Sequence, residues 1–244
     1  MTVEEMVRAL DALLDRQDYA GARALLYKSL RSFLAAGDGP AAISTCNELM
    51  GFERQYGEDA AAITAADEAL RLLEERDMAV SRPAAMVTLN AATVYAKAGR
   101  TAEARALYDR AETLFCKYYP AGAAEFAGLY NNRASVYLAS PAEFPKAEYY
   151  YNRALQVLQR LGETCDAAVT HLNLAGLYAR WPERAAEAPA HTAQAVRLME
   201  QPDERRNAYY YYTCRKCAAA CRELGAEEAA AFFTGRANEH DAGN

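Results

Sequence analysis

The sequence has 244 residues, is rich in the helix formers Ala, Leu, Glu and Arg, and carries a formal net charge of -6. The composition favours an all-α protein, and the acidic balance argues against a nucleic-acid partner, which needs clustered Lys and Arg. The sequence contains no apolar run of about 18 residues, so it predicts no membrane span, and its N-terminus lacks a signal-peptide pattern. The six cysteines lie in Ala-rich helical patterns, which indicates reduced thiols and a cytoplasmic location.

One pattern of small residues recurs six times along the chain. It consists of Ala, a residue four positions later, and Ala or Ser three positions after that, and the leading Ala residues are 40, 42, 43, 41 and 42 positions apart. Spacings of four and three keep to one helix face, and small residues there let a neighbouring helix approach closely. The copies are Ala22-Leu26-Ser29, Ala62-Ala66-Ala69, Ala104-Tyr108-Ala111, Ala147-Tyr151-Ala154, Ala188-Thr192-Ala195 and Ala230-Thr234-Ala237.

A second pattern precedes the first by about a dozen residues. It is Asn, a small or apolar residue two positions later and an aromatic residue five positions later, in Asn47-Leu49-Phe52, Asn90-Ala92-Tyr95, Asn132-Ala134-Tyr137 and Asn173-Ala175-Tyr178. Turn signals separate the two patterns at Gly57, Gly99, Pro141, Pro182 and Gly225. The sequence therefore predicts six helix-turn-helix repeats, at about 3–37, 40–80, 83–119, 123–161, 164–201 and 204–238, with 239–244 as a tail.

The segment from Leu89 to Ala111 resembles a tetratricopeptide repeat, as do Tyr130 to Leu155 and Asp18-Tyr19 with Ala22. The repeat of about 42 residues is similar to the longer variety found in kinesin light chains and many bacterial repeat proteins. The resemblance implies a single right-handed α-solenoid over residues 1–244. It also implies a bacterial scaffold or adaptor that binds proteins or peptides. The first and last repeats lack the Asn and are interpreted as caps.

The four asparagines Asn47, Asn90, Asn132 and Asn173 are the main candidate binding residues. Asn is a mediocre helix former, so its recurrence at one helical phase needs a reason. The resemblance implies a continuous concave groove in which these amides grip the backbone of an extended peptide, since an amide offers both a donor and an acceptor. The alternative is that each Asn bonds a neighbouring helix and only fixes the stacking of repeats.

Three cations follow an asparagine by seven residues: Arg54, Lys97 and Arg180. Two helical turns place Asn and cation on the same face, so a groove lined in this way would favour an acidic segment. The same cations also lie at the predicted C-termini of helices, where the helix dipole favours positive charge without any ligand. The fourth repeat has Ala139 at this position.

The cysteines Cys214, Cys217 and Cys221 share one face of the eleventh predicted helix. A metal site is one interpretation, but no fourth Cys or His lies nearby in sequence, and the repeat register favours three buried core positions. We therefore predict reduced cysteines with no metal and no cofactor. The runs Tyr149 to Tyr151 and Tyr209 to Tyr212 must each contain core and exposed rings, because consecutive helix positions point in different directions.

The sequence contains no recognisable catalytic motif. The three histidines are His171, His191 and His240, and no nucleophile motif, paired metal-binding histidines or phosphate loop accompanies them. We expect a non-enzymatic protein whose partner is another protein or peptide, with an extended acidic segment as one case. The alternative is a self-assembly or helix-binding module with an empty groove, and the oligomeric state is left open.

Overall fold

The computed structural model describes residues 1–200 and 207–239. Within these residues the chain forms twelve α-helices and no β-strand, which confirms the all-α prediction. No helix in this part of the chain combines the length and hydropathy that crossing a bilayer would require. The helices are α1 (Val3–Asp15), α2 (Tyr19–Ala35), α3 (Gly39–Tyr56), α4 (Asp59–Glu75), α5 (Arg82–Lys97), α6 (Thr101–Tyr118), α7 (Glu125–Ser135), α8 (Phe144–Leu161), α9 (Thr164–Ala179), α10 (Ala188–Glu200), α11 (Ala208–Glu223) and α12 (Glu227–Asn238).

Consecutive helices form six antiparallel pairs, α1 with α2 through α11 with α12. The turns at Gly57, Gly99 and Gly225 lie where the sequence predicts them. A short 3-10 turn at Pro141–Glu143 joins the two helices of the fourth pair, and another at Pro182–Glu187 joins the two helices of the fifth pair. The six predicted repeats are therefore confirmed as helical pairs. The predicted boundary between the fifth and sixth repeats, near residues 201–204, and residues 240–244 of the predicted tail, which include His240, lie outside the described residues.

Capping residues mark the ends of several helices. The hydroxyl of Thr2 accepts a hydrogen bond from the Glu5 amide while the Glu5 carboxylate accepts one from the Thr2 amide, a capping box that starts α1. Asp38 caps α3 in a similar way, and Ser81 caps α5. Gly162 ends α8 with a φ of 72°, a left-handed conformation that glycine adopts without steric cost.

The small-residue pattern forms the contact between helices. In the third pair, Ala104, Tyr108 and Ala111 are each fully buried. The equivalent residues of the other pairs are buried with two exceptions, Ala188 and Thr234, which are half-buried. Ala188 is the first residue of α10 because the 3-10 turn before it delays the start of the helix. The predicted aromatic positions Phe52, Tyr95, Tyr137 and Tyr178 are all buried.

The chain divides into two compact units. Unit N comprises Met1–Ala121 with the first three helical pairs, and unit C comprises Gly122–Asn244 with the last three. Within each unit, helices of successive pairs pack on one another, as α3 does on α5 and α9 on α11. The single continuous solenoid over the whole chain stays a prediction, and each unit is described below by itself.

Candidate functional site

In unit N, two of the predicted asparagines bind each other. The Nδ2 atom of Asn90 on α5 donates a hydrogen bond of 2.8 Å to Oδ1 of Asn47 on α3. Both side chains are half-buried. Each amide therefore uses one of its two polar groups to link successive helical pairs, and leaves Nδ2 of Asn47 and Oδ1 of Asn90 without a partner among the described residues.

In unit C, the corresponding link is made by Asn131, which the sequence pattern did not identify. Asn173 donates from Nδ2 to Oδ1 of Asn131 over 3.4 Å, and Nδ2 of Asn131 donates to Oγ1 of Thr170 over 2.8 Å. The neighbouring Asn132, which the sequence analysis selected, is half-buried. Its side-chain amide makes no hydrogen bond within the described part of the chain. One of the four predicted asparagines thus has an amide entirely available to a ligand.

Two of the three predicted cations bind the preceding helical pair. Nζ of Lys97 donates to the backbone carbonyl of Arg54 over 2.7 Å, and Arg180 donates from a terminal nitrogen to the carbonyl of Leu138, also over 2.7 Å. Lys97 also pairs with Asp59 at 3.1 Å. Both cations satisfy carbonyls at or just after a helix C-terminus, where the dipole favours positive charge. The side chain of Arg54 has no partner among the described residues.

The buried tyrosines of the asparagine pattern have a second role that the sequence did not indicate. The hydroxyl of Tyr178 donates to Glu148 on α8 over 2.6 Å, and the guanidinium of Arg184 lies 4.5 Å from its ring centroid. Tyr95 donates to Asp67 on α4 in the same way, with Arg100 at 4.1 Å from its ring. Burial and the Asp67 carboxylate raise the pKa of Tyr95 to about 12. These contacts join each first helix to the second helix of the preceding pair.

The first helices of unit C enclose a cleft of about 500 Å³, which we call the α7–α9–α11 cleft. Its walls carry the amides of Asn131, Asn132 and Asn173, apolar surface from Val169, Leu172 and Cys217, and the charged groups Asp166 and Lys216. Tyr209 donates a hydrogen bond to the Asp166 carboxylate. Lys216 is exposed, lies 5.6 Å from the Tyr212 ring and has no ion pair with any described residue.

Three glycines lie inside first helices of helical pairs without a packing reason. A Cβ atom added to Gly51 on α3, Gly128 on α7 or Gly176 on α9 would meet no atom within 4 Å. Glycine inside a helix costs about 1 kcal/mol relative to alanine, so these positions reduce the stability of their helices. Each lies three or four residues from an asparagine of the series, on the same helix face, and Gly128 lines the α7–α9–α11 cleft.

The three cysteines occupy the buried core positions that the repeat register favours, and each tyrosine run contains both core and exposed rings, as predicted. Cys214, Cys217 and Cys221 are at most 1% exposed and are free thiols, and burial raises the pKa of Cys221 to about 11. No group of three or more His, Cys, Asp or Glu in the described residues is arranged to hold a metal ion. Tyr151 and Tyr210 are core residues of the two tyrosine runs, whereas Tyr149, Tyr209 and Tyr212 are exposed.

A larger and more apolar groove lies between the second helices of unit C. It has a volume of about 850 Å³ and is lined by α10 and α12, with apolar side chains such as Val196, Leu224 and Phe232 and charged residues including Arg197 and Glu200. It contains none of the asparagines of the series. We call it the α10–α12 groove.

The hydrogen bond between Asn47 and Asn90 predicts energetic coupling. Asn90→Ala is expected to lower the free energy of unfolding by about 1 kcal/mol, because the half-buried Asn47 carbonyl loses its donor. Asn47→Ala should cost a similar amount, and the double variant should cost about 0.5–1 kcal/mol less than the sum. Urea unfolding of the four proteins measures this coupling, with Asn152→Ala on the exposed side of α8 as the control. Fully additive costs would mean that the two amides do not act together.

Comparison with known proteins identifies the fold. No protein-family model matches the chain, and no curated protein matches its sequence. Over its full length the chain is similar to the crystal structure of BtubC (BKLC) from P. vanneervenii, with 20% sequence identity, 92% coverage of that chain and a TM-score of 0.56. A tetratricopeptide repeat protein from Parabacteroides merdae has 16% identity and a TM-score of 0.46, with 95% of this chain and 98% of that chain covered. The likeness shows a tetratricopeptide-like fold.

Proposed function

We propose that this chain is a protein-interaction scaffold or adaptor whose α7–α9–α11 cleft binds an extended segment of a partner protein. The observation that carries the proposal is Asn132. Its amide faces no partner among the described residues, although it is half-buried and lines a cleft with two other amides. An amide in that position can donate to and accept from one peptide unit of a bound chain.

The charge at the cleft suggests what the segment carries. Lys216 lines the cleft without an ion pair in the described residues, whereas Asp166 already accepts the Tyr209 hydroxyl. An acidic side chain of the bound segment would pair with Lys216. Lys97 and Arg180 are less available for this role, because both donate to backbone carbonyls of the preceding helical pair.

The helical glycines support a close approach of the ligand. At Gly128 the cleft wall is bare backbone, and a bound chain could lie against it closer than a side chain would allow. A helix that keeps glycine where alanine would fit loses stability, which is consistent with selection for binding. We extend the proposal to the asparagine series as a whole, in which the half of each amide that is not used in the Asn–Asn bonds would contact the ligand.

The cellular setting belongs to the same proposal. We place the protein in a reducing bacterial cytoplasm, because six free cysteines with no disulfide are typical of that compartment. We assign it no catalytic role. Its function is then recognition alone, with affinity derived from a few hydrogen bonds of about 0.5–1.5 kcal/mol each and from apolar contacts in the cleft.

The test is a selection from a displayed library of unstructured peptides on the purified full-length protein. Selected peptides are then measured against variants by fluorescence polarisation. Asn132→Ala is expected to weaken binding about 5- to 30-fold, equivalent to about 1–2 kcal/mol. Gly128→Leu should weaken it at least as much, because its side chain fills the floor of the cleft. Lys216→Glu should weaken the binding of acidic peptides more than the binding of neutral ones.

Matched controls separate binding from folding. Asn152→Ala removes an exposed helical asparagine outside the cleft, and Gly235→Leu fills an equally open glycine on α12. Both should bind like the wild type. If Asn132→Ala and Gly128→Leu leave the affinity unchanged, the α7–α9–α11 cleft is not the binding site. Peptides whose binding is instead lost on Phe232→Ala would favour the alternative, a module that binds through the α10–α12 groove.

A further inference from the structure

Two of the three histidines of the sequence meet between α9 and α10. The Nδ1 atoms of His171 and His191 are 2.9 Å apart, and their ring centroids are separated by 5.1 Å. His171 is buried, with 8% of its surface exposed. The contact therefore lies inside the fifth helical pair, where it joins the two helices directly.

A hydrogen bond between two Nδ1 atoms requires one ring to carry a proton there and the other to present a lone pair. The neutral pair satisfies this requirement with one proton shared between the two helices. An imidazolium carries protons on both ring nitrogens. When both rings are charged, two N–H groups and two positive charges face each other across the same gap, and the attraction becomes repulsion.

The surroundings compensate such a charge only in part. Arg184 from the 3-10 turn binds Glu187 over 2.6 Å and also binds Glu148 of α8, so both nearby carboxylates already have a cation. Tyr178 of α9 presents its ring to His191. On its other face α9 packs against the cluster that holds Cys214, Cys217 and Cys221, whose buried thiols remain neutral in acid.

The pKa shifts agree with this arrangement. Burial, with a smaller contribution from His191, lowers the pKa of His171 to about 4. Burial also lowers the pKa of His191, although Glu187 and Glu148 act in the opposite direction. As the pH falls below about 6.5, an unfolded chain takes up protons that the folded pair resists. The stability that the neutral pair provides is therefore present above pH 6.5 and is lost as the pH falls towards 4.

We propose that His171 and His191 form a proton-sensitive latch that holds α10 against α9 while the pair is neutral and releases it when both rings are charged. The latch lies between two surfaces. α9 forms one wall of the α7–α9–α11 cleft and α10 forms one wall of the α10–α12 groove. Opening in acid loosens both walls together, whether or not either surface binds a partner.

The only tryptophan of the sequence reports on the latch. Trp181 lies two residues after the end of α9, 6.4 Å from the Tyr178 ring and 5.2 Å from the Arg184 guanidinium. We would follow urea unfolding by Trp181 fluorescence at pH 7.5 and pH 4.5. The variants are His171→Gln, which keeps a polar side chain but cannot take up a proton, and His240→Gln, which removes the third histidine.

Acidification is expected to raise the unfolding constant of the wild type about 10- to 50-fold more than that of His171→Gln. His240→Gln should behave like the wild type. Acrylamide quenching of Trp181 without urea should increase towards pH 4.5 in the wild type and stay nearly constant in His171→Gln. Equal acid sensitivity of the wild type and His171→Gln would overturn the latch.

A second measurement does not depend on how well the variant folds. In a histidine NMR titration of the wild-type protein, two of the three imidazoles should titrate as a coupled pair in two separate steps. The lower of the two steps should have a midpoint below pH 5. Three independent titrations near pH 6.5, the ordinary histidine value, would also overturn the latch, because two hydrogen-bonded imidazoles, one of them buried, cannot titrate in that way.

Discussion

Replacing Arg23 by alanine is expected to lower the free energy of unfolding by about 2–4 kcal/mol. Arg23 on α2 donates to both oxygens of Glu53 on α3, from Nε over 3.0 Å and from a terminal nitrogen over 2.8 Å. The Glu53 side chain is completely buried, whereas 45% of the Arg23 side chain is exposed. Without its guanidinium, the carboxylate would remain buried with no opposite charge, and that desolvated charge is the source of the large cost.

The control is an ion pair of similar composition on the surface. Arg71 contacts Glu68 and Glu75 on the same helix, and its side chain is 49% exposed. Arg71→Ala should change the free energy of unfolding by less than about 1 kcal/mol, because water replaces an exposed pair at little cost. Denaturant unfolding of the full-length variants measures both values. Equal costs for Arg23→Ala and Arg71→Ala would show that Glu53 does not depend on its partner.

A substitution at Gly57 is a second way to disrupt the contact between Arg23 and Glu53. A Cβ atom added there would lie 1.7 Å from Oε2 of Glu53, so an alanine side chain would displace the carboxylate from Arg23. Gly57→Ala should therefore be destabilising, and its effect should be much smaller in an Arg23→Ala background. This glycine, which the sequence predicts only as a turn signal, is also required by the ion pair between Arg23 and the buried Glu53.

The helical pairs could be predicted because their cause is local and periodic. A buried small residue at each turn of the second helix is needed wherever two helices approach closely, and it recurs in every repeat. The ion pair between Arg23 and Glu53 could not be predicted in this way. It occurs once, and its members are 30 positions apart, so no periodic pattern contains it.

In unit C, the hydrogen bond between asparagines of successive helical pairs falls one residue away from the position that the sequence pattern selects. The five-residue spacing from Asn to aromatic holds where both lie in one α-helix, as Asn173 and Tyr178 do. α7 ends at Ser135, and the amides of Val136 and Tyr137 then bond three residues back in tight 3-10 geometry. A 3-10 turn rotates more per residue than an α-helix. Counting back from Tyr137 therefore identifies Asn132, whereas the side chain that bonds Asn173 is Asn131.

The side-chain contacts between different repeats could not be predicted from the sequence either. Seven residues from Asn90 to Lys97 suggested a charged groove, but Lys97 binds a carbonyl 43 positions earlier. The contact between His171 and His191 likewise joins two helices that share no pattern at these positions. Periodicity within one helix indicates which residues share a face, and the partner on the next helix depends on packing that only the structure provides.

Phe233→Ala is expected to lower the free energy of unfolding of the last helical pair by about 3–5 kcal/mol. Phe233 is fully buried in a cluster formed by α9 to α12, together with Met199, Cys214, Cys217 and Cys221. The three thiols and the alanines of this cluster are small and cannot extend into the space that a phenyl ring leaves. The cavity would remain open, and its loss of contacts adds to the lost transfer free energy.

The adjacent residue is the matched control. Phe232 is half-buried and lines the α10–α12 groove, so Phe232→Ala removes the same number of atoms with less than half of the expected cost. Hydrogen exchange of α11 and α12, combined with denaturant unfolding, would localise the effect to this pair. Equal costs for the two phenylalanines would contradict the burial difference on which the prediction rests.

A compensating variant tests whether volume is the cause. Cys217→Leu alone should be destabilising by about 1–3 kcal/mol, because it forces two extra non-hydrogen atoms into a filled core. Combined with Phe233→Ala, the same leucine has a cavity to occupy, and the double variant should be more stable than Phe233→Ala alone. Such a reversal of sign requires the two residues to share one packed space, as members of one cluster do. If Cys217→Leu destabilises both backgrounds equally, Phe233 and the thiols are energetically independent, and the small cysteines would not explain why the ring is needed.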